Sequence, residues 1–152
     1  MRNKKIDKTE LAIVSLLQDG RKSYKEIGQV VGLSEATVRS KVNRLIHEGL
    51  VEIKALISTK NLEPGYVTAY VGIRLKSPIM KKTAESMSQL PGVVSIALVT
   101  GRFDLFLTVM LTPQYELIDF FNLMLEKHSD EVNSHETFLT YESVNLKTPY
   151  PY

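Results

Sequence analysis

The sequence contains no cysteine, which excludes disulfide bonds, thiolate metal ligands and a thiol nucleophile. It has no uncharged apolar run approaching the roughly 20 residues that a bilayer-spanning helix needs. The basic start at residues 1–5 is not followed by an apolar signal core, so secretion is not expected. We therefore expect a cytoplasmic protein that carries no cofactor.

The net charge is only +2 over 152 residues, but the charge is unevenly distributed. Residues 1–60 hold 12 basic and 7 acidic side chains, a net charge of +5, whereas residues 61–152 hold 7 and 10, a net charge of −3. This asymmetry indicates a basic module that meets a polyanion, joined to a module with another task. The alternative is a chance scatter of surface charge. The length is sufficient for two small domains.

Residues 1–60 predict a first domain of three helices and a small hairpin. Asp7 with Glu10 and Ser23 with Glu26 form capping-box patterns, which open helices ending near Gln18 and Val31. Ser34 is a good cap for a third helix that runs to Glu48. Residues 50–58 are apolar and partly alternating, which favours a two-stranded wing.

Two short helices joined by a tight glycine-containing turn, the second of them cationic, are typical of a helix-turn-helix. One arc of the third helix is apolar and is predicted to face the core: Val38, Val42, Leu45 and Ile46. The opposite arc is predicted to approach base edges in a major groove: Ala36, Thr37, Ser40, Asn43, Arg44 and His47. The remaining predicted DNA-binding residues, most of them placed for phosphates, are Lys22, Lys25, Ser34, Arg39 and Lys41. The alternative is an amphipathic helix whose charges only keep the protein soluble.

Residues 61–65 are rich in turn formers and predict a linker, followed by a second domain over residues 66–152. The predicted elements are strand 66–76, helix 79–90, strands 93–100 and 105–112, a helix opened by Pro113, and a last strand at 137–146. The order βαββαβ is the ferredoxin-like arrangement, with both helices on one face of an antiparallel sheet. The predicted fold class is therefore α+β, a winged helix-turn-helix joined to a ferredoxin-like domain.

Residues 93–99 are apolar on both faces of their predicted strand, although the helices cover only one face of the sheet. A second copy of the sheet is the simplest cover, which predicts a homodimer. The alternative is a monomer in which the wing or the first domain folds over the sheet.

An ordered set of short motifs resembles the Lrp/AsnC (leucine-responsive/asparagine-synthase regulator) family of prokaryotic transcription factors. The motifs span most of the chain: Asp19-Gly20-Arg21, Val31-Gly32-Leu33-Ser34, Val38-Arg39, Arg44-Leu45, Gly49-Leu50-Val51, Leu90-Pro91-Gly92-Val93 and Gly101-Arg102-Phe103-Asp104. The resemblance implies a regulator that binds double-stranded DNA and responds to an amino acid or related metabolite. It also implies dimers that assemble further, often into octamers.

The resemblance further implies that the Gly-x-aromatic-Asp hairpin borders an effector pocket at a subunit interface. The pocket candidates are Thr100, Gly101, Arg102, Phe103, Asp104, Ser134, His135 and Thr137. In this interpretation Asp104 receives an α-ammonium group. The alternatives are that Asp104 caps its own backbone and that Arg102 is a solvated turn residue.

Enzymatic interpretations have less support in the residues. The three histidines form no recognisable metal-binding spacing, and neither a glycine-rich phosphate loop nor a nucleophile motif is present. Sirohaem decarboxylases share the fold and length of this family, but such an enzyme has little use for a basic, well-capped recognition helix. A metabolite-binding module that does not bind DNA is disfavoured for the same reason. A histidine in a cleft, at 128 or 135, would favour the enzyme.

Overall fold

The computed structural model describes residues 5–58, 64–77, 79–144 and 146–149. The chain forms two compact units, Met1–Lys54 and Ala55–Tyr152. The helices in the described residues are α1 (Lys8–Leu17), α2 (Tyr24–Val31), α3 (Glu35–His47), α4 (Met80–Met87) and α5 (Leu117–His128). The strands there are β1 (Leu56–Ser58), β2 (Val67–Leu75), β3 (Val93–Leu98), β4 (Leu105–Leu111), β5 (Val132–Leu139) and β6 (Lys147–Pro149).

The first unit is a three-helix core in which each helix begins at a side-chain cap. Asp7 and Ser23 each complete the predicted capping box, and Ser34 accepts a hydrogen bond from the Thr37 amide. The buried centre joins one apolar face from each helix: Ile13, Ile27, Val38 and Val42. Leu45 is also fully buried, but Ile46 is 43% exposed, so its predicted core position is wrong.

The second unit is built on a four-stranded antiparallel sheet in the order β3-β4-β2-β5. Alternate residues of β2 and β4 pack against α4 and α5, and buried members include Val71, Leu107, Met87 and Phe120. Both helices therefore cover the same sheet face. This arrangement confirms the predicted α+β fold, with helix-turn-helix helices followed by a ferredoxin-like βαββαβ unit.

The predicted two-stranded wing is wrong. Residues 50–55 form no strand, and β1 pairs antiparallel with β6 rather than with a neighbour in the chain, so that Leu56 lies opposite Pro149. β1 therefore belongs to the second unit. An apolar, alternating segment indicates a strand but does not identify its partner, which here lies about ninety residues away.

Two other elements of the second unit differ from their predicted bounds. Pro113 lies in a turn closed by a bridge between Thr112 and Tyr115, and α5 begins only at Leu117. The last strand of the four-stranded sheet is β5, which begins at residue 132 rather than at the predicted residue 137. Its polar sequence resembles a loop because β5 is an edge strand with one face turned away from the helices.

Part of the predicted linker, residues 61–63, lies outside the described residues, and residues 64–65 form a turn. Within the described part of the chain, none of the helices has the length and apolar character to cross a membrane.

Candidate DNA-binding and effector sites

The turn between α2 and α3 is made tight by two glycines. Gly32 adopts a left-handed conformation with φ of 72° and ends α2. The Leu33 amide donates to the Gly28 carbonyl at 2.9 Å, and a Cβ on Gly28 would lie 2.5 Å from the Leu33 carbonyl oxygen. Only glycine at position 28 lets the turn approach α2 this closely, and this approach fixes the start of α3.

The exposed side of α3 presents a shallow polar surface near the start of the helix. Its lining includes Ala36, Arg39, Ser40 and Asn43, all of them exposed. The guanidinium of Arg39 donates to the Glu35 carboxylate at 2.8 Å. Its Cζ atom also lies 5.2 Å from the centre of the Tyr24 ring, which links α3 to the start of α2. Small side chains at 36 and 40 leave room for a base edge to come close.

Two predicted DNA-binding cations, Lys41 and Arg44, form ion pairs within the first unit. Both pair with Glu10 of α1, at 3.2 Å from the Lys41 Nζ and 2.5 Å from an Arg44 nitrogen. Glu10 is only 1% exposed, so it needs these partners. Arg44 also pairs with Glu48 at 3.2 Å.

This ion-pair group shifts several pKa values. The Asp7 amide, and then the two cations, lower the pKa of Glu10 despite its burial. Glu10 in turn raises the pKa of Lys41 and of Arg44. The pairs hold α3 against α1, which is a structural task that the helical wheel of α3 alone did not reveal.

The other predicted DNA-binding residues are exposed: Lys22, Lys25, Ser34, Thr37 and His47. The Ser34 hydroxyl lies 2.8 Å from the Thr37 hydroxyl and caps α3, so it serves the helix itself. The polar face of α3 is therefore centred on positions 36, 40, 43 and 47. Arg44, which belongs to the arc predicted to approach base edges, lies to one side of this centre.

The connection between β3 and β4, residues 99–104, is fixed to the end of β2 by Asp104. The Asp104 amide donates to the Ile73 carbonyl at 2.9 Å, and its carboxylate accepts from the Leu75 amide at 2.8 Å. The Asp104 carboxylate thus bonds the backbone of another strand, whereas its carbonyl accepts from the Val99 amide of its own hairpin at 3.0 Å. The conformation of Gly101, with φ of 114°, suits glycine at the exposed tip.

Phe103 and Arg102 attach the same connection to the sheet face that the helices leave open. The Phe103 ring lies over Gly72, where an added Cβ would come within 2.6 Å of it. Arg102 forms an ion pair with Glu136 of β5, and its Cζ atom lies 5.4 Å from the Phe103 ring centre. Sequence reasoning missed Gly72 and Glu136, since their contacts come from strand pairing.

The predicted pocket residues on β5 divide between the two sheet faces. Ser134 and Glu136 share one face, whereas His135 and Thr137 lie on the other. The His135 ring stacks on Phe121 of α5 at 4.3 Å between ring centres, which identifies that face as the helical side. The structure brings Ser134 to the side of the Arg102–Glu136 pair and turns His135 and Thr137 away from it. The alternation of side chains along β5 separates these two sets, but the sequence predicts a strand only from residue 137, so Ser134 and His135 were not assigned to faces.

His128 of the second unit is buried and has a polar neighbour at each of its ring nitrogens. His128 is 4% exposed, its Nδ1 lies 3.0 Å from the Glu131 carboxylate, and its Nε2 lies 3.4 Å from the Ser86 hydroxyl. Hydrogen bonding to His128 lowers the pKa of Glu131. Among the described residues, no group of three or more His, Asp or Glu side chains is arranged to hold a metal ion.

Sequence comparison finds two matches in domain order. Residues 6–46 match the AsnC-type helix-turn-helix domain, and residues 68–149 match the Lrp/AsnC ligand binding domain. The chain is 37% identical to an uncharacterized HTH-type transcriptional regulator of Pyrococcus abyssi, over 90% of this chain and 86% of that protein.

Solved structures show the same arrangement of elements. The structure of Escherichia coli AsnC has 26% identity and a TM-score of 0.63, covering 95% of this chain and 98% of that one. A Neisseria meningitidis transcriptional regulator in complex with L-Met has 22% identity and a TM-score of 0.64, covering 97% of each chain.

Proposed function

The chain belongs to the Lrp/AsnC family of helix-turn-helix transcriptional regulators, and on that premise we propose how it reads DNA and senses a ligand. The exposed face of α3 enters the major groove of operator DNA. An amino acid or a related small metabolite binds beside the connection at residues 100–104. The proposal that α3 binds DNA rests on one observation: the start of α3 is capped and exposed, and it follows a tight turn that requires glycine at position 28.

Within the groove, Asn43 is the side chain best suited to read bases. Its amide can donate and accept at once, which matches the paired donor and acceptor on an adenine edge. The short side chains Ala36 and Ser40 let the helix approach closely. Lys22 and Lys25 contact phosphates, which fix the register of the helix without reading sequence.

The effector site uses the backbone donors at Gly101 and the polar groups beside them. Arg102 is positioned to bind a carboxylate bidentately, in competition with Glu136. Ser134 lies on the same face of β5 as Glu136. The presence of L-Met in the Neisseria structure supports the amino-acid class for the ligand. Asp104 positions the connection through its bond to β2, while His135 and Thr137 act only through the packing of β5.

The protein works as a homodimer, built through the sheet face that the helices leave open, and dimers assemble further. This face presents aromatic rings, among them Tyr70 and Phe106, stacked with ring centres 6.2 Å apart. Because two recognition helices must match the half-site spacing, a ligand that changes subunit geometry changes DNA affinity without touching DNA. The cytoplasm is the compartment where such a regulator meets its operator.

The test is a binding assay of the full chain on DNA from beside its own gene, at several salt concentrations and with a panel of amino acids. We expect Asn43→Ala to reduce the preference for operator over unrelated DNA by about ten- to a hundredfold. Lys25→Ala should weaken binding to all sequences alike and reduce the salt slope by about one. Arg44→Ala is unsuitable for this purpose, because it also removes a partner of the buried Glu10 carboxylate.

Lys81→Ala is the matched control, since Lys81 is an exposed lysine on α4 of the other unit. It should change neither the operator preference nor the salt slope. Sequence-blind binding by the unaltered protein at every salt concentration would contradict the proposal. So would an Asn43→Ala variant with unchanged preference.

A further inference from the structure

The first half of α3 carries an arginine that the structure holds in place from two sides. The Arg39 Nη2 atom donates to the Glu35 carboxylate at 2.8 Å, one turn earlier on the same helix. The Arg39 Cζ atom lies 5.2 Å from the centre of the Tyr24 ring, and that ring packs against the buried core of the first unit. The guanidinium is therefore restrained both by a carboxylate on α3 and by an aromatic ring at the start of α2.

Arg39 remains open to a ligand although it is paired. Its side chain is 57% exposed, and Glu35 bonds to the Nη2 atom, so other N–H donors of the guanidinium stay available. Within residues 5–58, which the structure describes without a gap, no further acceptor bonds to this side chain. Arg39 lines the same shallow surface as Ser40 and Asn43. That surface belongs to the first half of α3, and the first residues of a recognition helix are those that contact base edges.

The carboxylate beside Arg39 discriminates between the two kinds of acceptor that DNA offers. A phosphate at the guanidinium would come close to the Glu35 carboxylate, and the two negative charges would repel each other. The major-groove edge of guanine is uncharged and presents two acceptors, O6 and N7, side by side. A guanidinium that is already oriented loses little freedom when it makes this bidentate contact. The arrangement therefore favours a guanine edge over a phosphate.

We propose that Arg39 reads a guanine in the operator, and that Glu35 and Tyr24 are positioning residues for its guanidinium. The inference rests on the proposed function, because it requires α3 to enter the major groove. It gives the operator a G·C pair read by Arg39, in addition to the adenine for which Asn43 is suited. Arg39 thereby differs from Lys22 and Lys25, which contact phosphates and do not distinguish sequences.

The experiment uses the full chain to select preferred duplexes from a randomised DNA library, and then measures its affinity for every single base-pair change in them. Replacing the guanine read by Arg39 should weaken binding of the unaltered protein about ten- to a hundredfold. In the Arg39→Ala variant the same replacement should change the affinity less than about twofold, while the preference at the pair read by Asn43 persists. If Arg39 contacts a phosphate instead, Arg39→Ala weakens binding to all duplexes alike and reduces the salt slope by about one, which would overturn the proposal.

The positioning residues are tested through the ratio of affinities for duplexes with and without that guanine. Glu35→Gln removes a negative charge beside DNA, so it should strengthen binding to unrelated DNA and yet reduce the guanine preference about threefold or more. Tyr24→Leu should also reduce the preference, whereas Tyr24→Phe keeps the ring and should retain it. A guanine preference that neither Glu35→Gln nor Tyr24→Leu reduces would overturn the positioning roles.

Arg21→Ala is the matched control, because Arg21 is an exposed arginine of the same unit that lies outside α3. It should leave the guanine preference unchanged. A sequence preference that Asn43→Ala reduces but Arg39→Ala leaves intact would overturn this inference alone. Sequence-blind binding by the unaltered protein would overturn the proposed function and this inference with it.

Discussion

Glu10 shows how one buried carboxylate can change the interpretation of a neighbouring helix. The residue completes a capping box on α1 and also pairs with Lys41 and Arg44 of α3. On a wheel drawn for α3 alone, both cations look available for DNA. Their engagement is set by a side chain 31 and 34 positions away in sequence, which helical periodicity cannot detect.

The same residue predicts an acid dependence of stability in the first unit. The folded-state pKa of Glu10 lies below its ordinary value of 4.5, so the folded unit holds the proton less tightly than the unfolded chain does. The stability that this carboxylate contributes is complete above about pH 4.5 and is lost as the pH falls through the folded-state pKa. Glu10→Gln should lower the free energy of unfolding by about 1–2 kcal/mol at neutral pH and reduce its dependence on pH below 4.5.

The measurement is a urea titration at several pH values, followed through amide NMR signals of α1 to α3. Some acid dependence should remain, because Asp7 and Glu26 also have lowered pKa values. Glu52→Gln is the control, since Glu52 lies in an exposed ion pair with Lys54 and its replacement should leave the pH dependence unaltered. An unchanged slope in the Glu10→Gln variant would show that Glu10 is not the titrating group.

Elements with local start and stop signals were predictable from the sequence, and elements defined by distant pairing were not. The predicted α2 agrees with the observed bounds because Ser23, Glu26 and Gly32 specify both of its ends. β1 has no local partner, and β5 alternates polar residues with residues such as His135 that pack under a helix. For the candidate effector site, sequence patterns located the connection at 100–104 but not the strand residues on which it rests.

The contact between Phe103 and Gly72 predicts how β2 supports that connection. Gly72→Ala would place a Cβ 2.6 Å from the Phe103 ring, which must then move and loosen residues 100–104. We expect a loss of about 1–3 kcal/mol in the stability of the second unit, measured by urea unfolding. Amide hydrogen exchange of residues 101–104 should become faster.

A double-mutant cycle distinguishes this contact from a general effect of glycine replacement. Gly72→Ala combined with Phe103→Leu should cost less than the sum of the single changes, because the smaller side chain leaves room for the Cβ. Gly20→Ala should be nearly neutral, since an added Cβ there meets no atom within 4 Å. Additive costs at 72 and 103 would contradict the proposed support.

At the scale of the whole molecule, the sheet face that α4 and α5 leave uncovered predicts how two subunits associate into a dimer. Phe138 of β5 is 48% exposed and pairs in register with Tyr70 on this face. In a two-fold dimer each substitution occurs twice in the interface. Phe138→Lys should therefore shift the protein from dimers or larger assemblies to monomers, as measured by sedimentation velocity.

Ile118→Lys provides the matched comparison, because Ile118 is 61% exposed but lies on α5, in the helical layer. It should leave the dimer intact, and circular dichroism should show both variants folded. A Phe138→Lys variant that sediments like the unaltered protein would refute association through the open face.

The pairing of β1 with β6 has a consequence for the order of folding. Leu56 and Pro149 are 93 positions apart, so closing this loop costs about 4 kcal/mol of chain entropy for only three paired residues. Once the sheet of β2 to β5 has formed, the two segments are near each other, and most of the entropy cost of closing the loop has already been met by the formation of the sheet. We therefore expect the first unit to fold early during synthesis. The pairing of β1 with β6 should form only after the four-stranded sheet of the second unit has formed.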